Sequence, residues 1–527
     1  MKQIQIDLTP EEYHIPELLS SAVGRCLRVG KGSVVPPFRV VRRSIDCRRR
    51  NVLYHTTVEV YAPGEEMPPQ VTTWSLSGRQ DAGGPRDCSH GKPVIVVGSG
   101  PAGLFAALRL IEAGLRPIVI ERGKPVEDRK NDIVSLSRTR LLNPNSNWCF
   151  GEGGAGTYSD GKLYTRSTKR GDVGAVLRTF VAHGADPDIM LDAHAHIGTD
   201  RLGGIIARMR QTIMECGGEY RFNTRMEDLV VRNGRVIGAK DSTGVVHEGL
   251  GVILATGHSA RDVYQLFSRK GWQLEAKPFA IGVRVEHPQR LINEIQYHGA
   301  DYSPLLPPAA YSLVTQVGNR GVFSFCMCPG GVIVPAATDE HQQVVNGMSN
   351  SHRSSAFANS GIAVTVSLAD VPGGASGDPL ALLRFQQEVE RHTFEAAANP
   401  LDAPAQRLVD FLRRRPSSSL NRSNYMGPTS SAPLHEVLPT FVTDALIQGF
   451  KDFDRKMKGF ITAEASLLAV ESRTSSPVRI PRDPVTLQHP QLAALYPCGE
   501  GAGYAGGIVS SALDGIRCAE TLAATLG

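Results

Sequence analysis

The chain has 527 residues, of which 41% are hydrophobic and 21% are charged, and its formal net charge is +5. The length predicts two or three domains, and the small positive excess, which forms no long basic stripe, excludes a DNA-binding surface of the usual kind. Nine scattered cysteines and the lack of an apolar run of about eighteen residues argue against a disulfide framework and a membrane span, and predict a reducing cytoplasm.

The N-terminal part, residues 1–85, predicts a small α+β domain. Its apolar periodicity indicates a strand, a short helix and two further strands, at 3–8, 16–27, 40–46 and 52–61. Residues 77–92 are rich in glycine, polar and charged residues, a composition typical of a linker.

A glycine motif then follows a buried strand. Residues 93–97 are apolar, the next six read GSGPAG, and an apolar helix is predicted from 102 to 113. This is the G-x-G-x-x-G pattern in the strand–turn–helix context of a dinucleotide-binding fold. Gly98 permits a tight turn, Gly100 lets a pyrophosphate approach the backbone, and Gly103 lets the helix pack on the strand. The residues expected to contact the dinucleotide here are Gly98, Gly100, Pro101, Ala102 and Gly103.

The second predicted strand, 116–120, ends at Glu121 and Arg122. An acid at this position can accept hydrogen bonds from a ribose 2′-hydroxyl and repels a 2′-phosphate. We expect both residues to bind the cofactor.

Two later glycine motifs distinguish FAD from NAD. The first, GVILATG at 251–257, is an apolar strand ending in Gly257, and the second, at 495–508, contains another strand end. The final helix is predicted to begin near 507–509, so that its positive N-terminus faces the flavin ring. The second motif predicts cofactor contacts from Gly499, Glu500, Gly507 and Ile508, with Glu500 standing where an aspartate usually binds the ribityl chain.

A long glycine-rich loop, 143–166, is the segment best suited to reach the flavin ring. Its residues Gly153 and Gly154 allow close backbone approach to the cofactor. Lys162 is a candidate catalytic cation that would stabilise negative charge on the reduced ring. The alternative is a lysine that holds a phosphate or faces solvent.

These motifs carry a family resemblance. The chain resembles the uncharacterised FAD-dependent dehydrogenases, an NAD(P)/FAD-dependent oxidoreductase family within the glutathione-reductase and fumarate-reductase flavoprotein superfamily. The narrower resemblance covers essentially the whole chain and rests on RRSIDCRR (42–49), CFGEGGAGTYSDGKLYTR (149–166), FSFCMCPGG (323–331), VVNGMSNSHR (344–353) and VESRTSSPVRIPRD (470–483). It implies an FAD-binding fold and leaves the substrate open.

Two further groups in these segments are candidates for chemistry. Arg473 could clamp a substrate carboxylate or a phosphate, since a guanidinium forks around such anions; a structural ion pair is the alternative. Cys326 and Cys328 are too close in sequence for an unstrained disulfide, so the sequence favours structural thiols for both.

The predicted fold is α/β: a Rossmann-like FAD-binding domain with a parallel sheet, an inserted mixed α+β substrate domain and the small N-terminal domain. The FAD domain is expected in two pieces, 86–275 and 478–527, with the inserted domain at 276–477 containing helices at 380–397 and 406–414.

The function predicted first is hydride transfer between a small molecule and flavin N5. Electrons would come from the substrate, a transiently bound NAD(P)H or an electron-transfer partner, because no second G-x-G-x-x-G follows a strand. Two alternatives remain: a flavin monooxygenase using O₂, for which Asp160-Gly161 is the only candidate motif, and an FAD-binding redox sensor or RNA-associated flavoprotein.

Overall fold

A computed structural model of the chain describes residues 1–30, 33–62, 64–67, 74–76, 86–139, 141–165, 170–400 and 402–525. The predicted linker lies mostly outside these residues, as does Arg166 at the end of the glycine-rich loop.

The N-terminal unit is a sheet with the strand order β1-β3-β2 and two helices. In chain order its elements are β1 (Lys2–Leu8), α1 (Pro10–His14), α2 (Pro16–Leu27), β2 (Phe38–Asp46) and β3 (Leu53–Val60). Helix α1 begins with a capping box, in which the Thr9 hydroxyl accepts from the Glu12 N–H and the Glu12 carboxylate accepts from the Thr9 N–H.

The dinucleotide-binding part follows from residue 93. Its elements are β4 (Pro93–Val97), α3 (Pro101–Glu112), β5 (Arg116–Ile120), α4 (Val126–Thr139), α5 (Val173–Ala182), α6 (Thr199–Glu215), β6 (Glu219–Arg221), β7 (Met226–Arg232), β8 (Arg235–Asp241), β9 (Val246–Glu248), β10 (Val252–Leu254) and α7 (Arg261–Lys270).

A second, larger sheet is built between this part and the chain's last elements. Its region contains β11 (Glu275–Ala276), β12 (Phe279–Pro288), α8 (Gln289–Gln296), β13 (Val314–Val317), β14 (Arg320–Cys328), β15 (Gly331–Pro335), β16 (Val345–Ser349), β17 (Phe357–Val366), α9 (Ala381–Glu395), β18 (Ala403–Arg407), α10 (Leu408–Phe411), β19 (Thr429–Ser431), α11 (Leu434–Val437), α12 (Thr440–Lys456) and β20 (Ser466–Glu471). The strand order is β13-β14-β17-β12-β20-β18-β19.

The helix predicted at 406–414 is too long at both ends, since α10 covers only Leu408–Phe411. Gln406 belongs to β18, which pairs antiparallel with β20, and only the short helix α10 follows. Pairing with an already buried strand outweighs the local helical pattern. The helix predicted at 380–397 is present as α9.

The chain ends with β21 (Val478–Arg479), β22 (Leu495–Pro497) and α13 (Ile508–Ala524). Strand β22 returns to the dinucleotide-binding part and completes a parallel sheet in the order β22-β10-β4-β5-β6. The chain is therefore α/β with a Rossmann-like sheet assembled from distant segments, as the sequence predicts. Its domain limits stay a prediction. In the described parts of the chain, no helix is both long and apolar enough to cross a membrane.

Candidate functional site

One large cavity, of about 1040 Å³, lies at the carboxyl ends of the parallel strands. Val97, Ile120, Ala255 and Cys498, each at the end of one of these strands, line it together with residues of the second sheet and the N-terminal unit. Ligands of open α/β sheets bind at this edge, and the volume is at the upper limit of ordinary ligand pockets. The cavity therefore suits a large dinucleotide.

The glycines of the motifs fall into two groups by what surrounds them. A Cβ added to Gly100 would come no closer than 3.9 Å to another protein atom, and one added to Gly506 or Gly507 would meet nothing within 4 Å. At Gly103 a Cβ would stand 1.9 Å from the Gly98 carbonyl oxygen, and at Gly153 it would stand 2.0 Å from the Thr157 hydroxyl. The first group leaves space for a ligand, whereas the second permits close packing.

This division matches the cavity lining. Of the predicted cofactor-binding residues, those that line the cavity are Gly98, Gly100, Pro101, Ala102, Glu121, Arg122, Gly154, Gly257, Gly499, Glu500, Gly507 and Ile508. Gly103 and Gly153 are not among the lining residues. The residues are thus gathered at one site, and their individual contacts with FAD stay predictions.

Two helices point their N-termini at the cavity. Pro101 and Ala102 open α3, and Ile508 and Val509 open α13; all four line the cavity. Free N–H groups and the positive end of the helix dipole favour negative charge at both places. An anionic dinucleotide with an electron-accepting ring fits this field.

Glu121 joins three loops at the base of the site. Its carboxylate accepts hydrogen bonds from the N–H groups of Ser99, Gly123 and Gly151 at 2.9–3.1 Å and from the Ser99 hydroxyl at 2.8 Å. A carboxylate has about four acceptor positions, so a ribose hydroxyl would have to replace one of these bonds. The predicted ribose contact therefore stays a prediction, while the loop-joining role is observed.

Two arginines support the same loops. Arg122 forms an ion pair with Asp262 at 2.7 Å, and its guanidinium lies 4.2 Å from the centre of the Phe150 ring. Arg129, which is fully buried, donates to main-chain oxygens on Asn147, Trp148, Gly151, Glu152 and Gly154. Sequence reasoning missed Arg129, because a lone arginine in a polar helix carries no signal of burial.

Glu500 presents a carboxylate to the cavity beside Gly499. Among the described residues, none donates a hydrogen bond to this carboxylate. Burial raises its pKa to about 7, and the nearby Lys277 only partly offsets this effect. A partly exposed acid at the cavity wall, without a protein donor, fits a ligand that supplies hydroxyl groups, as a ribityl chain does.

Lys162 lines the cavity, in the glycine-rich loop beside β14. Its ammonium donates to the Met327 carbonyl oxygen and stands 3.7 Å from the Asp160 carboxylate. Asp160 is in turn held by Arg353 through bonds of 3.1 and 2.6 Å. Burial would raise the pKa of Asp160, but Arg353 and then Lys162 lower it below its ordinary value. Two cations therefore share one ionised carboxylate.

Arg473 lines the cavity but is committed to protein partners. Its guanidinium donates to oxygens on Ser259, Thr338, Gln342 and Glu390 at 2.8–3.3 Å. These five bonds use all five N–H groups of an arginine. The contacts therefore favour the structural ion pair over the substrate clamp, and the role of Arg473 in the reaction stays a prediction. Beside it, burial first and Arg473 second lower the pKa of His258 to about 3, so this imidazole is neutral.

The two cysteines of the C-x-C segment have different surroundings. Cys328 is buried, but Cys326 is exposed and lines the cavity, which corrects the interpretation of both as structural thiols. The register of β14 against β17 shifts between Phe325 and Cys328. This bulge turns Cys326 away from the sheet, a common device for aiming a side chain at a site.

The geometry defines a class. A Rossmann-like sheet, ligand space above Gly100 and Gly507, two helix N-termini and the carboxylate of Glu500 form a site that fits FAD, and the protein is an FAD-binding flavoprotein. Family models agree: residues 93–128 match an FAD binding domain, 278–474 match "FAD-dependent protein, C-terminal domain-like", and 1–61 match a domain of unknown function, DUF8436.

The particular family is shown by a relative of nearly equal length. An "Uncharacterized protein" of Clostridium beijerinckii is 40% identical over 496 residues, which cover 91% of each chain. The chain belongs to the same protein family as this relative.

Solved flavoprotein structures are similar over most of the chain at low identity. A mutant of the halogenase PltM in complex with FAD covers 82% of this chain and 70% of its own, at 10% identity and a TM-score of 0.40. The brominase Bmp2 covers 82% and 79%, at 14% and 0.36. A flavocytochrome c3 fumarate reductase covers 87% and 82%, at 13% and 0.32.

Proposed function

We propose that this flavoprotein is a dehydrogenase-like oxidoreductase of the reducing cytoplasm that passes a hydride between a small molecule and N5 of FAD. FAD supplies a ring that takes or gives the hydride, and the protein orients the substrate and tunes the ring. The observation that carries the proposal is the position of Lys162 in the cavity, with its carboxylate neighbour already bound by Arg353.

The Lys162 ammonium has N–H donors that are not used by hydrogen bonds to the described residues. An ammonium has three N–H groups, and within the described residues one of them is bound to Met327 while Asp160 stands at 3.7 Å. The remaining donors can hold an anionic substrate group or negative charge on the reduced ring. Because Asp160 is ionised and buried, it attracts the ammonium and helps to hold it in place.

The number of dinucleotide motifs limits where the electrons can come from. The sequence has one dinucleotide fingerprint after a strand, so NAD(P)H would bind transiently, or the substrate or a partner protein would supply electrons. The monooxygenase alternative gains no support from Asp160-Gly161, since the Asp160 carboxylate is 3% exposed on its side chain and is bound by Arg353.

The test is anaerobic. Yellow holoprotein is mixed with NADH, with NADPH and with a panel of small carboxylates and amines while the flavin absorbance is followed. We expect at least one of these to bleach the flavin, and Lys162→Met to slow that reaction without releasing FAD. Oxygen incorporation into a product in air would instead establish a monooxygenase, and a flavin that no reductant bleaches would contradict the proposal.

A further inference from the structure

The N-terminal unit lies against the cavity rather than apart from it. Residues from α1, β2, the turn after β2, and β3 form part of the lining, namely Tyr13, His14, Arg43, Ser44, Ile45, Cys47 and Tyr54. The glycine motifs that suit FAD lie elsewhere along the same cavity, on the strands of the parallel sheet. The unit therefore encloses space that the dinucleotide motifs do not.

Arg43 fixes this unit to the dinucleotide-binding part. It forms a two-pronged ion pair with Asp192 at 2.5 and 3.0 Å and a further one with Asp188 at 3.1 Å. Its main chain also pairs with the segment beside Asp192, donating to the Leu191 oxygen and accepting from the Ala193 N–H. Such a combination of ion pair and main-chain bonds sets the position of β2 closely.

The attached segment leads directly to the proposed catalytic cation. Residues 192–194 and His196 line the cavity, and His196 pairs with Lys162 in an isolated antiparallel bridge. The segment that Arg43 binds is therefore the same segment that pairs with Lys162.

A second set of contacts seats the unit on the inserted sheet region. The Cys47 carbonyl oxygen accepts from His298 at 2.7 Å, and the Ser303 hydroxyl donates to Glu11 at 2.8 Å. Tyr54 and Leu8 belong to the same hydrophobic core as the strands of that sheet. The unit bridges both larger parts of the molecule, with the cavity between them.

The space so enclosed is largely apolar and aromatic. Tyr13 and Tyr54 stack at 4.4 Å, and opposite aromatic and proline side chains come from Tyr297, Pro307, Pro308, Tyr311 and Phe325. Arg43 brings no free positive charge, because Asp192 and Asp188 both bind it. This group has one negative charge in excess, and the Asp188 side chain is 55% exposed. The unmatched positive charge comes from Lys162 and Arg353, which share Asp160.

We infer that the N-terminal unit is the specificity wall of the substrate chamber, and that the substrate is an apolar, ring-sized molecule carrying one anionic group. The anion is held by Lys162 and the ring lies against Tyr54 and Ile45. This inference rests on the proposed function for the role of Lys162, and it gives residues 1–61 a role in selecting the substrate.

The test uses full-length holoprotein and three probes, with changes in the flavin absorbance spectrum as the binding signal. Naphthoate has a ring and a charge, naphthalenemethanol has the ring alone, and acetate has the charge alone. We expect naphthoate to bind about tenfold or more tightly than naphthalenemethanol, because it adds a charge-assisted hydrogen bond. We also expect it to bind about tenfold or more tightly than acetate, because it adds the burial of a ring.

Two variants examine the wall. Arg43→Ala removes the ion pairs that hold β2 and keeps its main-chain bonds, and it is expected to weaken naphthoate binding by about tenfold. Ile45→Ala, which keeps every ion pair, is expected to weaken naphthoate binding as well. The matched control is Arg39→Ala, on the same strand but paired with Glu59 and not part of the cavity lining.

The inference is overturned if both variants bind all three probes as the wild type does, or if naphthoate binds no better than naphthalenemethanol or does not bind. Photoreduction of the flavin in each variant keeps this separate from the proposed function. If the flavin is reduced normally but the wall variants bind the probes as the wild type does, only this inference is contradicted. If the flavin is never reduced, the proposed function is contradicted.

Discussion

Arg353 binds both carboxylate oxygens of Asp160, at 3.1 and 2.6 Å, although the two residues are 193 positions apart in the chain. Arg353 follows β16, and Asp160 lies in the glycine-rich loop beside Lys162. This pair joins the loop between β16 and β17 to the glycine-rich loop, and Lys162, which lines the cavity, has only its bond to Met327 and the nearby Asp160 carboxylate among the described residues. The chemistry proposed for this protein depends on that arrangement.

Replacing Lys162 by methionine removes the cation and keeps the side-chain length. We expect FAD to stay bound and its two-electron potential to fall by on the order of 30–60 mV, since a charge-assisted hydrogen bond contributes about 1.5–3 kcal/mol. Spectroelectrochemical titration measures the potential. Lys270→Met, at a lysine paired with Asp228 away from the cavity, is the control; equal potentials in both variants would show that Lys162 does not act on the ring.

Alanine substitutions at two glycines of the same motif should have different effects, one on FAD binding and the other on folding. Gly100→Ala meets no protein atom within 3.9 Å, so we expect a folded protein whose FAD affinity is lower by about tenfold or more. Gly103→Ala places a Cβ 1.9 Å from the Gly98 oxygen and should reduce the yield of folded protein. Circular dichroism and flavin titration separate the two, and normal FAD binding by Gly100→Ala would contradict the assignment of its open face to the cofactor.

Glu500 should make the flavin-free protein less stable as the pH rises. Its folded pKa, about 7, lies above the ordinary value of 4.5, so its stabilising contribution is complete below about pH 4.5 and is lost as the pH passes 7. Glu500→Gln removes this dependence and should melt at a higher temperature than wild type at pH 8. Glu464→Gln, at an exposed position, is the control; melting curves of Glu500→Gln that follow those of wild type at every pH would rule out the buried acid.

Arg473→Met should damage stability rather than chemistry. The fully buried Glu390 is held by Arg473, Arg261 and the Ser472 hydroxyl, and leaving it with a single arginine should cost about 3 kcal/mol. Urea unfolding measures this loss, and the folded fraction should still undergo flavin photoreduction at the wild-type rate. Arg384→Met, on the same helix as Glu390 but exposed, should change neither quantity. A stable variant that fails only in the redox reaction would restore the substrate-clamp interpretation.

Cys326 should be open to a small alkylating reagent while Cys328 is protected, because only Cys326 is exposed. Desolvation by the surrounding cavity wall raises the pKa of this accessible thiol to about 12. Because only the thiolate reacts, labelling by N-ethylmaleimide should be slow and should accelerate as the pH rises. Peptide mass spectrometry reads both positions. Cys26, which is exposed outside the cavity, is the internal control: a ligand bound in the cavity should protect Cys326 and leave the labelling of Cys26 unchanged. Equal labelling of Cys326 and Cys328 would contradict the bulge geometry.

The sequence by itself determined the dinucleotide fold and the cofactor. Gly98, Gly100 and Gly103 act within one turn and its adjoining helix, and short apolar runs predict buried strands wherever they occur. These are local requirements of backbone conformation and close approach, so they can be read from neighbouring residues. The match of 93–128 to an FAD binding domain agrees with them.

The tertiary structure decided which side chains act together. The residues around Arg473 in the sequence do not predict its pairing with Glu390, and those around Asp160 do not predict its pairing with Arg353. The alternating pattern of β14 does not predict the bulge beside Cys326. The N-terminal unit likewise joins the cavity through Arg43 and Asp192, which are 149 positions apart. Ion pairs and cavity walls depend on the packing of distant elements, and a charged residue carries no local mark of the partner it will meet on folding.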